Sequence, residues 1–289
     1  MERVKIVADS TCDLSPEVLE QYQIEVIPLP VNLGDKPCLD GVDVHPADLF
    51  EYVRETGKLP TTSAPTPAYY EELYQKWTEE GYSVVHFSIS LAFTVTHNIA
   101  KMAAQSFPNV YPVDSRNISA GMGILAIQAA RLRDQGLSAQ EIADRVRAMT
   151  DRVQTSFILD TLQYMYKGGR CTGVAALGAN LLNLKPCIEV QDGAMEVGKK
   201  YRGKLESVLE QYTEARLKGK SHLDLDQILI AHCYVDQKIL DRVIQKIKEC
   251  QPFREILVLD TGCSVSVHCG PNTLGLIYMT DGTESKTSA

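Results

Sequence analysis

Four short polar segments carry hydroxyl groups or a histidine where the chain is expected to turn. They are residues 60–66, residues 88–94, the pair Asp114-Ser115 and residues 268–271. Each segment adjoins an apolar run typical of a strand or a helix, and such loops gather at one edge of a sheet. The sequence therefore predicts one polar site, to which we assign Thr62, Ser63, Ser90, Thr94, Asp114, Ser115, His268 and Gly270.

One chemistry open to such a site is hydrolysis or acyl transfer. The hydroxyl of Thr62, Ser63 or Thr94 could act as a nucleophile, with His268 as its base. The sequence has no G-x-S-x-G elbow, and the best-placed hydroxyls are threonines. An esterase or acyltransferase therefore stays open as the alternative, and the preferred interpretation assigns no catalytic residue.

Histidines and cysteines of the second half of the chain could in principle ligate zinc: His232, Cys233, Cys263, His268 and Cys269. Their spacings match no standard zinc knuckle, and no loop offers the usual pair of ligands. We therefore predict no metal and no other cofactor.

A glycine pattern at residues 121–126 fits G-x-G-x-x-A. In dinucleotide-binding folds the first glycine follows a strand directly, whereas residues 114–120 intervene here. We interpret these glycines as positions where a helix packs closely against its neighbours.

Composition restricts the class of partner. The 289 residues are 44% hydrophobic, which suffices for a full core in two domains, and the formal charge is −8. A net negative charge repels phosphate backbones and anionic lipid surfaces. We therefore expect no nucleic-acid partner.

The N-terminal residues reach Asp9 before they build the long apolar stretch of a signal peptide or a membrane span. The eight cysteines include no C-x-x-C pair, and a chain of this size needs no disulfides. The expectation is a cytoplasmic protein with reduced cysteines and no membrane span.

Apolar runs alternate with helical segments in the first half of the chain. Strands are predicted at residues 4–8, 25–31, 82–88 and 110–113. Helix-start signals lie between or after them, at Ser15-Pro16, Thr66-Pro67 and the capping box of Ser138 and Glu141. This alternation predicts an N-terminal α/β domain, residues 1–153, with a parallel sheet between helices.

The alternation of apolar runs and helical segments changes after residue 153. Two apolar runs, 186–190 and 194–199, flank Asp192-Gly193, a pattern typical of a β-hairpin. Further strands at 227–232 and 256–260 and a helix beginning at Asp236 follow. We predict a smaller α+β domain over residues 154–289 with a mixed or antiparallel sheet, whose final segment, 264–280, returns to the ligand site.

Several motifs occur in an order that resembles the DegV family over essentially the whole chain. They are Val7-Ala8-Asp9-Ser10-Thr11-Cys12-Asp13-Leu14, Leu39-Asp40-Gly41-Val42-Asp43, the Thr-Ser-x-Pro segment at 62–65, Val113-Asp114-Ser115, Lys167-Gly168-Gly169-Arg170, Leu184-Lys185-Pro186 and the His-x-Gly-Pro segment from His268. Motifs in this order are far more specific than any one of them.

The resemblance implies a protein that binds a long-chain fatty acid in a buried apolar tunnel and presents its carboxyl group to a separate fatty acid kinase. Thr62 and His268 match the family's carboxyl-binding threonine and C-terminal histidine, and Thr94 falls where the family has a binding serine. Lys200 and Arg202 lie in the family's basic Lys-x-Arg segment, and Arg170 is a further candidate for contact with the kinase. Such a subunit is non-catalytic alone.

Two residues depart from the family pattern. Val95 and Asn272 stand where the family usually has glycine. Valine adds bulk and restricts the backbone. We therefore expect any difference from the family to lie in the preferred acyl chain and in the geometry of the bound carboxyl group.

The residue types agree with binding. A buried carboxylate needs donors, and two hydroxyls and an imidazole supply them without a fixed positive charge. A third interpretation is a structural or regulatory protein in which the lipid fills the fold.

Overall fold

The computed structural model describes residues 2–177 and 184–283. The chain divides into two compact units. Unit 1 comprises Met1–Asp151, Asp192–Ala194 and Thr261–Val267, and unit 2 comprises Arg152–Gln191, Met195–Asp260 and His268–Ala289.

The first 151 residues supply the strands and most of the helices of unit 1. The strands are β1 (Val4–Asp9), β2 (Ile24–Ile27), β3 (Pro30–Leu33), β4 (Lys36–Leu39), β5 (Thr61–Thr62), β6 (Ser83–Ser88) and β7 (Val110–Asp114). The helices are α1 (Pro16–Tyr22), α2 (Pro46–Thr56), α3 (Pro67–Glu79), α4 (Thr96–Ala104), α5 (Ala120–Asp134) and α6 (Ala139–Met149).

The main sheet of unit 1 is parallel. Its strand order is β2-β1-β6-β7, and each neighbouring pair runs in the same direction. All of β6 is buried, as expected of a parallel sheet that is covered on both faces. The predicted parallel α/β fold is confirmed.

The strand order of this sheet reverses between β1 and β6. From β1 the chain goes to β2 on one side, and it later returns to β6 on the other side. In open parallel sheets, the crevice beyond the carboxyl ends at such a reversal is the usual place for a ligand. The reversal therefore favours a ligand site near the residues that follow β1 and β6.

Local signals set the starts of three helices. The hydroxyls of Ser15, Thr66 and Ser138 each accept a backbone N–H of the first turn that follows. Glu141 completes the predicted capping box by accepting the backbone N–H of Ser138 at 2.9 Å. Each bond satisfies a donor that the helix itself leaves unpaired.

A buried polar network lies under α3. The Tyr70 hydroxyl donates to the Asp9 carboxylate at 2.8 Å, and His86 Nε2 lies 3.0 Å from the same oxygen. The Tyr74 hydroxyl pairs with His86 Nδ1 at 2.6 Å. These aromatic side chains pack with Trp77 in the core, so Asp9 at the end of β1 is held by residues of α3 and β6.

The predicted strand at residues 25–31 is wrong in its extent. β2 ends at Ile27, and β3 begins at Pro30 in a separate antiparallel sheet of order β4-β3-β5. Pro28 and Pro30 have no N–H to donate to a ladder, so one strand cannot continue through them as part of the parallel sheet.

Unit 2 contains a mixed sheet. Its strands are β8 (Val153–Ile158), β9 (Leu184–Gln191), β10 (Ala194–Arg202), β11 (Leu223–Cys233), β12 (Glu255–Asp260) and β13 (Thr273–Thr280), and the helices of the second half are α7 (Gln163–Gly168), α8 (Thr172–Leu177), α9 (Leu205–Leu217), α10 (Gln237–Cys250) and α11 (Cys263–Cys269). The strand order is β10-β9-β8-β13-β11-β12, in which β11 and β12 are parallel and the β8, β9, β13 and β11 pairings are antiparallel. The predicted mixed sheet is confirmed.

The predicted hairpin joins β9 and β10 through Asp192 and Gly193. Both turn residues have positive φ, 49° and 84°, as a two-residue type I′ turn requires. The predicted helix start at Asp236 is also present, because the Asp236 carboxylate accepts the N–H of Lys238 at 2.9 Å. In the core, Tyr212 of α9 and Val243 of α10 pack with Ile230 of β11.

Candidate functional site

The loop after β6 carries Ser90, which is a structural residue of unit 1. The Ser90 hydroxyl donates to the carbonyl of Gly193 at 2.7 Å and accepts the N–H of Ala92 at 3.3 Å. Its backbone N–H donates to the carbonyl of Asn117 at 3.0 Å. Since Ser90 is buried and its hydroxyl already joins two segments, it shapes the loop.

Thr94 lies at the end of the same loop, before α4. Its hydroxyl is 2.8 Å from the Thr96 hydroxyl and accepts the Thr96 N–H at 3.3 Å. The local bond organises the start of α4, and Thr94 is only partly buried. When Thr96 donates to Thr94, the Thr94 proton remains available to another acceptor.

Val95 takes the place of the family glycine without strain. Its φ is −84°, a value open to any residue, and its side chain is 58% exposed. The backbone of this loop therefore does not require glycine at residue 95.

Thr62 and Ser63 lie at β5, in the small sheet. Thr62 is partly buried and pairs with Val31 of β3. Ser63 is exposed, and its N–H donates to the Pro30 carbonyl at 3.2 Å while its hydroxyl accepts the Asn32 amide at 3.5 Å. The strand pairing fixes the backbone of Thr62.

Asp114 and Ser115 form a tight turn at the end of β7. The Asp114 carboxylate accepts the Arg116 N–H at 2.9 Å, and the Ser115 hydroxyl donates to the Asn117 carbonyl at 3.2 Å. The backbone N–H of Ser115 donates to the carbonyl of Ser88, the last residue of β6, at 3.1 Å. The end of β6 is thus hydrogen-bonded to the turn that follows β7.

A serine–histidine pair that the sequence did not suggest lies at the end of β6. The Ser88 hydroxyl is 2.8 Å from His97 Nδ1. Burial lowers the pKa of His97, and the nearby Asp114 carboxylate opposes that shift. Because Ser88 is fully buried, this pair is a satisfied polar contact of the core.

His268 belongs to unit 2 and is held against the end of α7. A Cβ at Gly168 would stand 2.5 Å from His268 Nδ1, so only glycine allows this approach. Burial, together with the charge of Arg170, lowers the pKa of His268 to about 4. At neutral pH the imidazole is therefore uncharged, with one N–H donor and one acceptor nitrogen.

Gly270 follows in the turn before β13. Its φ is +77°, and a Cβ would stand 2.5 Å from the ring of Tyr164. Both the backbone conformation and the contact with the ring require glycine here. Glycine at residue 270 thus allows the turn that the chain makes just after His268.

Three basic residues predicted to contact a partner are exposed. Lys200 and Arg202 alternate with the buried Tyr201 along β10, which is an edge strand of its sheet. Arg170 donates to the carbonyl of Gly168 at 2.6 Å. Exposed cations on an edge strand also discourage pairing with other sheets, so their position alone does not identify a partner.

Among the residues that the structure describes, no group of three or more His, Cys, Asp or Glu side chains could hold a metal ion. Within the same residues, no helix is both long and apolar enough to cross a membrane.

Comparison with known proteins places this architecture. Residues 3–281 match the family described as "Uncharacterised protein, DegV family". The chain belongs to the DegV family. A DegV domain-containing protein of Clostridium perfringens is 30% identical over 284 residues, which are 96% of this chain and 99% of the relative.

Two solved DegV-like structures are similar over almost their whole length. One, titled as fatty acid binding of a DegV family protein from Thermus thermophilus, is 29% identical with a TM-score of 0.85 and covers 96% of this chain and 99% of its own. The other, a stearic acid-binding protein from Eubacterium ventriosum, is 27% identical with a TM-score of 0.80 and covers 97% and 99%.

Two aspartates of the DegV motifs hold residues 262–264 in unit 1. Asp40 accepts the N–H groups of Cys263 and Ser264 at 2.8 and 3.0 Å. Asp13 accepts the N–H of Gly262 at 2.8 Å. Both carboxylates are buried at the start of α11, where a helix favours negative charge, and neither role was predicted from the sequence.

The second departure from the DegV pattern, Asn272, is accommodated in unit 2. Its φ is +61°, a region in which asparagine is tolerated better than other non-glycine residues. Its N–H donates to the Cys233 carbonyl at 2.7 Å, and its amide donates to Asp160 at 3.3 Å. Asp160 is also paired with Lys185 of the Leu-Lys-Pro motif.

The three residues predicted to hold a carboxyl group are divided between the two units of this DegV protein. Thr62 and Thr94 belong to unit 1, and His268 belongs to unit 2. Their joint action on one ligand, and the domain boundary at residue 153, stay predictions.

Proposed function

We propose that this DegV protein binds one long-chain fatty acid in a buried apolar tunnel, with the carboxyl group held by Thr62, Thr94 and His268. It then presents that carboxyl group to a fatty acid kinase, which forms an acyl phosphate. The protein itself catalyses no reaction and acts in the cytoplasm.

The observation that carries this proposal is the likeness to two proteins described as fatty-acid-binding. The Thermus thermophilus protein and the stearic acid-binding protein from Eubacterium ventriosum match nearly the full chain at 29% and 27% identity. A likeness at this level over both units supports a shared class of ligand.

The state of His268 supports a role in carboxyl binding. An imidazole with a pKa of about 4 is neutral at pH 7 and donates one hydrogen bond. A neutral donor can hold a carboxylate without the fixed charge that would make its oxygen a poorer nucleophile toward a phosphate. A bound carboxylate would in turn raise the pKa of the imidazole.

The energetics assign most of the affinity to the acyl chain. Burial of each CH₂ contributes about 0.8 kcal/mol, so a chain of about 16 carbons gives on the order of 10 kcal/mol before ordering costs. Three neutral hydrogen bonds contribute a smaller amount and mainly fix the orientation of the carboxyl group.

The test begins with native mass spectrometry of freshly purified protein, followed by lipid extraction. We expect about one fatty acid per chain, as for a single buried site. Delipidated protein should bind stearic acid more tightly than stearyl alcohol, which has the same chain without the carboxylate. Protein that arrives lipid-free and then takes up no stearic acid would exclude the proposal.

The rival function is an esterase or acyltransferase that uses Thr62, Ser63 or Thr94 with His268. Hydrolysis of a nitrophenyl acyl ester well above background, abolished by His268→Gln, would establish that rival. We expect no turnover. The buried Ser88–His97 pair does not favour the rival, because its hydroxyl is fully buried.

A further inference from the structure

A polar cavity of about 280 Å³ lies in unit 2, between the end of α9 and the sheet. Its lining includes Glu189, Arg216, Lys220, Ser221, His222 and Thr280. The wall thus carries two permanent cations, one carboxylate, an imidazole and three hydroxyls, the third from Tyr278, in a protein whose formal charge is −8. A concentration of donors at one cavity is typical of a site for an anion.

Arg216 is the more buried of the two cations of this cavity. Its side chain is 20% exposed, and Nη1 lies 3.2 Å from the carboxylate of Glu189. Its Nε is buried and has no hydrogen-bond partner among the described residues. The carbonyl of Arg216 accepts the Tyr278 hydroxyl at 3.3 Å, which fixes the backbone. A guanidinium has five N–H donors in a planar fork, more than one carboxylate oxygen uses.

Lys220 adds a second cation beside Arg216. Its backbone carbonyl accepts the side-chain amide of Gln251 at 2.8 Å, while its side chain is exposed. Lys220 lines the cavity, so its ammonium group is within the reach of its side chain from a ligand bound there.

Other charged groups near the cavity form one ion pair and one contact between a carboxylate and an imidazole. The Asp281 carboxylate lies 3.9 Å from His222 Nδ1, and Arg152 lies 3.5 Å from the Asp224 carboxylate. Glu189 pairs with Arg216. Among the lining residues themselves, Arg216 and Lys220 exceed Glu189 by one positive charge.

The cavity is remote from the segment that carries His268. That segment precedes β13 at Thr273, whereas Thr280 of the cavity wall ends the same strand. At about 3.4 Å per residue, the strand separates the two places by roughly 24 Å. A ligand of the cavity would thus not touch His268.

We propose that this cavity is a second binding site, for a small phosphate-bearing metabolite such as a phosphomonoester. A dianionic phosphate group suits a guanidinium fork, an ammonium and the hydroxyl of Ser221. The volume lies near the lower end of small-molecule sites, about 300 Å³, which fits a small metabolite better than a nucleoside triphosphate.

The test titrates the full-length protein with inorganic phosphate, glycerol phosphate and acetate, and follows the side-chain Nε–H signal of Arg216 by NMR. We expect glycerol phosphate to shift this signal. Lys220→Gln should weaken the binding about tenfold, the loss expected for one charge-assisted hydrogen bond. Arg242→Gln is the matched control, since Arg242 pairs with Glu206 and Glu210 on the surface of the same unit.

Equal affinities for phosphate in wild type and Lys220→Gln would overturn the proposal, as would shifts confined to residues outside the cavity. Tighter binding of acetate than of glycerol phosphate would also overturn it, because the ligand would then be a carboxylate. Lys220→Gln should leave the affinity for stearic acid unchanged, which separates this site from the proposed fatty acid site.

Discussion

The imidazole of His268 lies so close to Gly168 that a Cβ at residue 168 would stand 2.5 Å from Nδ1. The next residue, Gly169, has φ +66° and caps the C-terminal end of α7, yet a Cβ there would meet nothing within 4 Å. The two glycines of the Lys-Gly-Gly-Arg motif therefore serve different needs. Gly168 makes room for a side chain, and Gly169 permits a left-handed backbone.

Gly168→Ala should displace His268 and lower the affinity for stearic acid by about tenfold, while it destabilises the fold by about 1–3 kcal/mol through overpacking. Gly169→Ala is the matched control. It should cost about 1 kcal/mol of stability through its backbone but leave the affinity of the folded protein unchanged. Calorimetric titration measures the affinity and urea unfolding measures the stability. Equal affinities for stearic acid in the two variants would show that His268 does not bind the carboxyl group.

Thr62→Val should weaken the binding of stearic acid by about 1–3 kcal/mol, because it removes a hydrogen-bond donor while it keeps the shape of the side chain. Thr61→Val, a change of the exposed neighbour on the same short strand, should have no effect. Affinity for stearyl alcohol should be the same in Thr62→Val and wild type. A loss of equal size for acid and alcohol would mean that Thr62 contacts the chain and not the carboxyl group.

Stability of the ligand-free protein should fall between pH 6.5 and about 4. Burial depresses the folded-state pKa of His268 to about 4, so within this window the unfolded chain binds a proton that the folded protein does not. The contribution of neutral His268 to the free energy of unfolding is complete above pH 6.5. It is lost as the pH falls toward 4, and the total loss is about 3 kcal/mol. Urea unfolding at pH 7 and 4.5 should show a smaller loss for His268→Gln than for wild type, whereas His222→Gln at a partly exposed position should behave like wild type.

Asp40→Asn should destabilise the protein by about 2 kcal/mol. The ionised carboxylate accepts two N–H groups at the start of α11, and the amide can accept with only one of its two terminal atoms. Asp35→Asn, in the exposed turn between β3 and β4, is the control and should change stability by less than about 0.5 kcal/mol. An unfolding midpoint for Asp40→Asn equal to that of the control would contradict the role of Asp40.

Charge reversal at both Lys200 and Arg202 should slow acyl phosphate formation by a cognate fatty acid kinase by at least about tenfold, because a charged docking surface sets the rate of encounter. Affinity for stearic acid should not change. Lys199→Glu alters the same edge strand at a neighbouring exposed position and should have a much smaller effect. Phosphorylation at the wild-type rate in the double variant would show that the kinase binds elsewhere.

Short-range chemistry made much of the fold readable from the sequence. The hairpin was predictable because Asp192-Gly193 is a dipeptide that adopts positive φ at both positions. The helix starts at Ser15, Thr66 and Ser138 were predictable because each cap bonds within three residues of itself. The order of the motifs was enough to indicate the DegV family.

Long-range packing decided the rest. Asp40 binds the backbone of Cys263, 223 positions along the chain, and no local pattern distinguishes it from an aspartate in a turn. Gly168 is likewise explained only by the imidazole that folds against it from residue 268. Such contacts depend on how whole elements pack, so the sequence alone could identify the residues but only the tertiary structure could assign their partners.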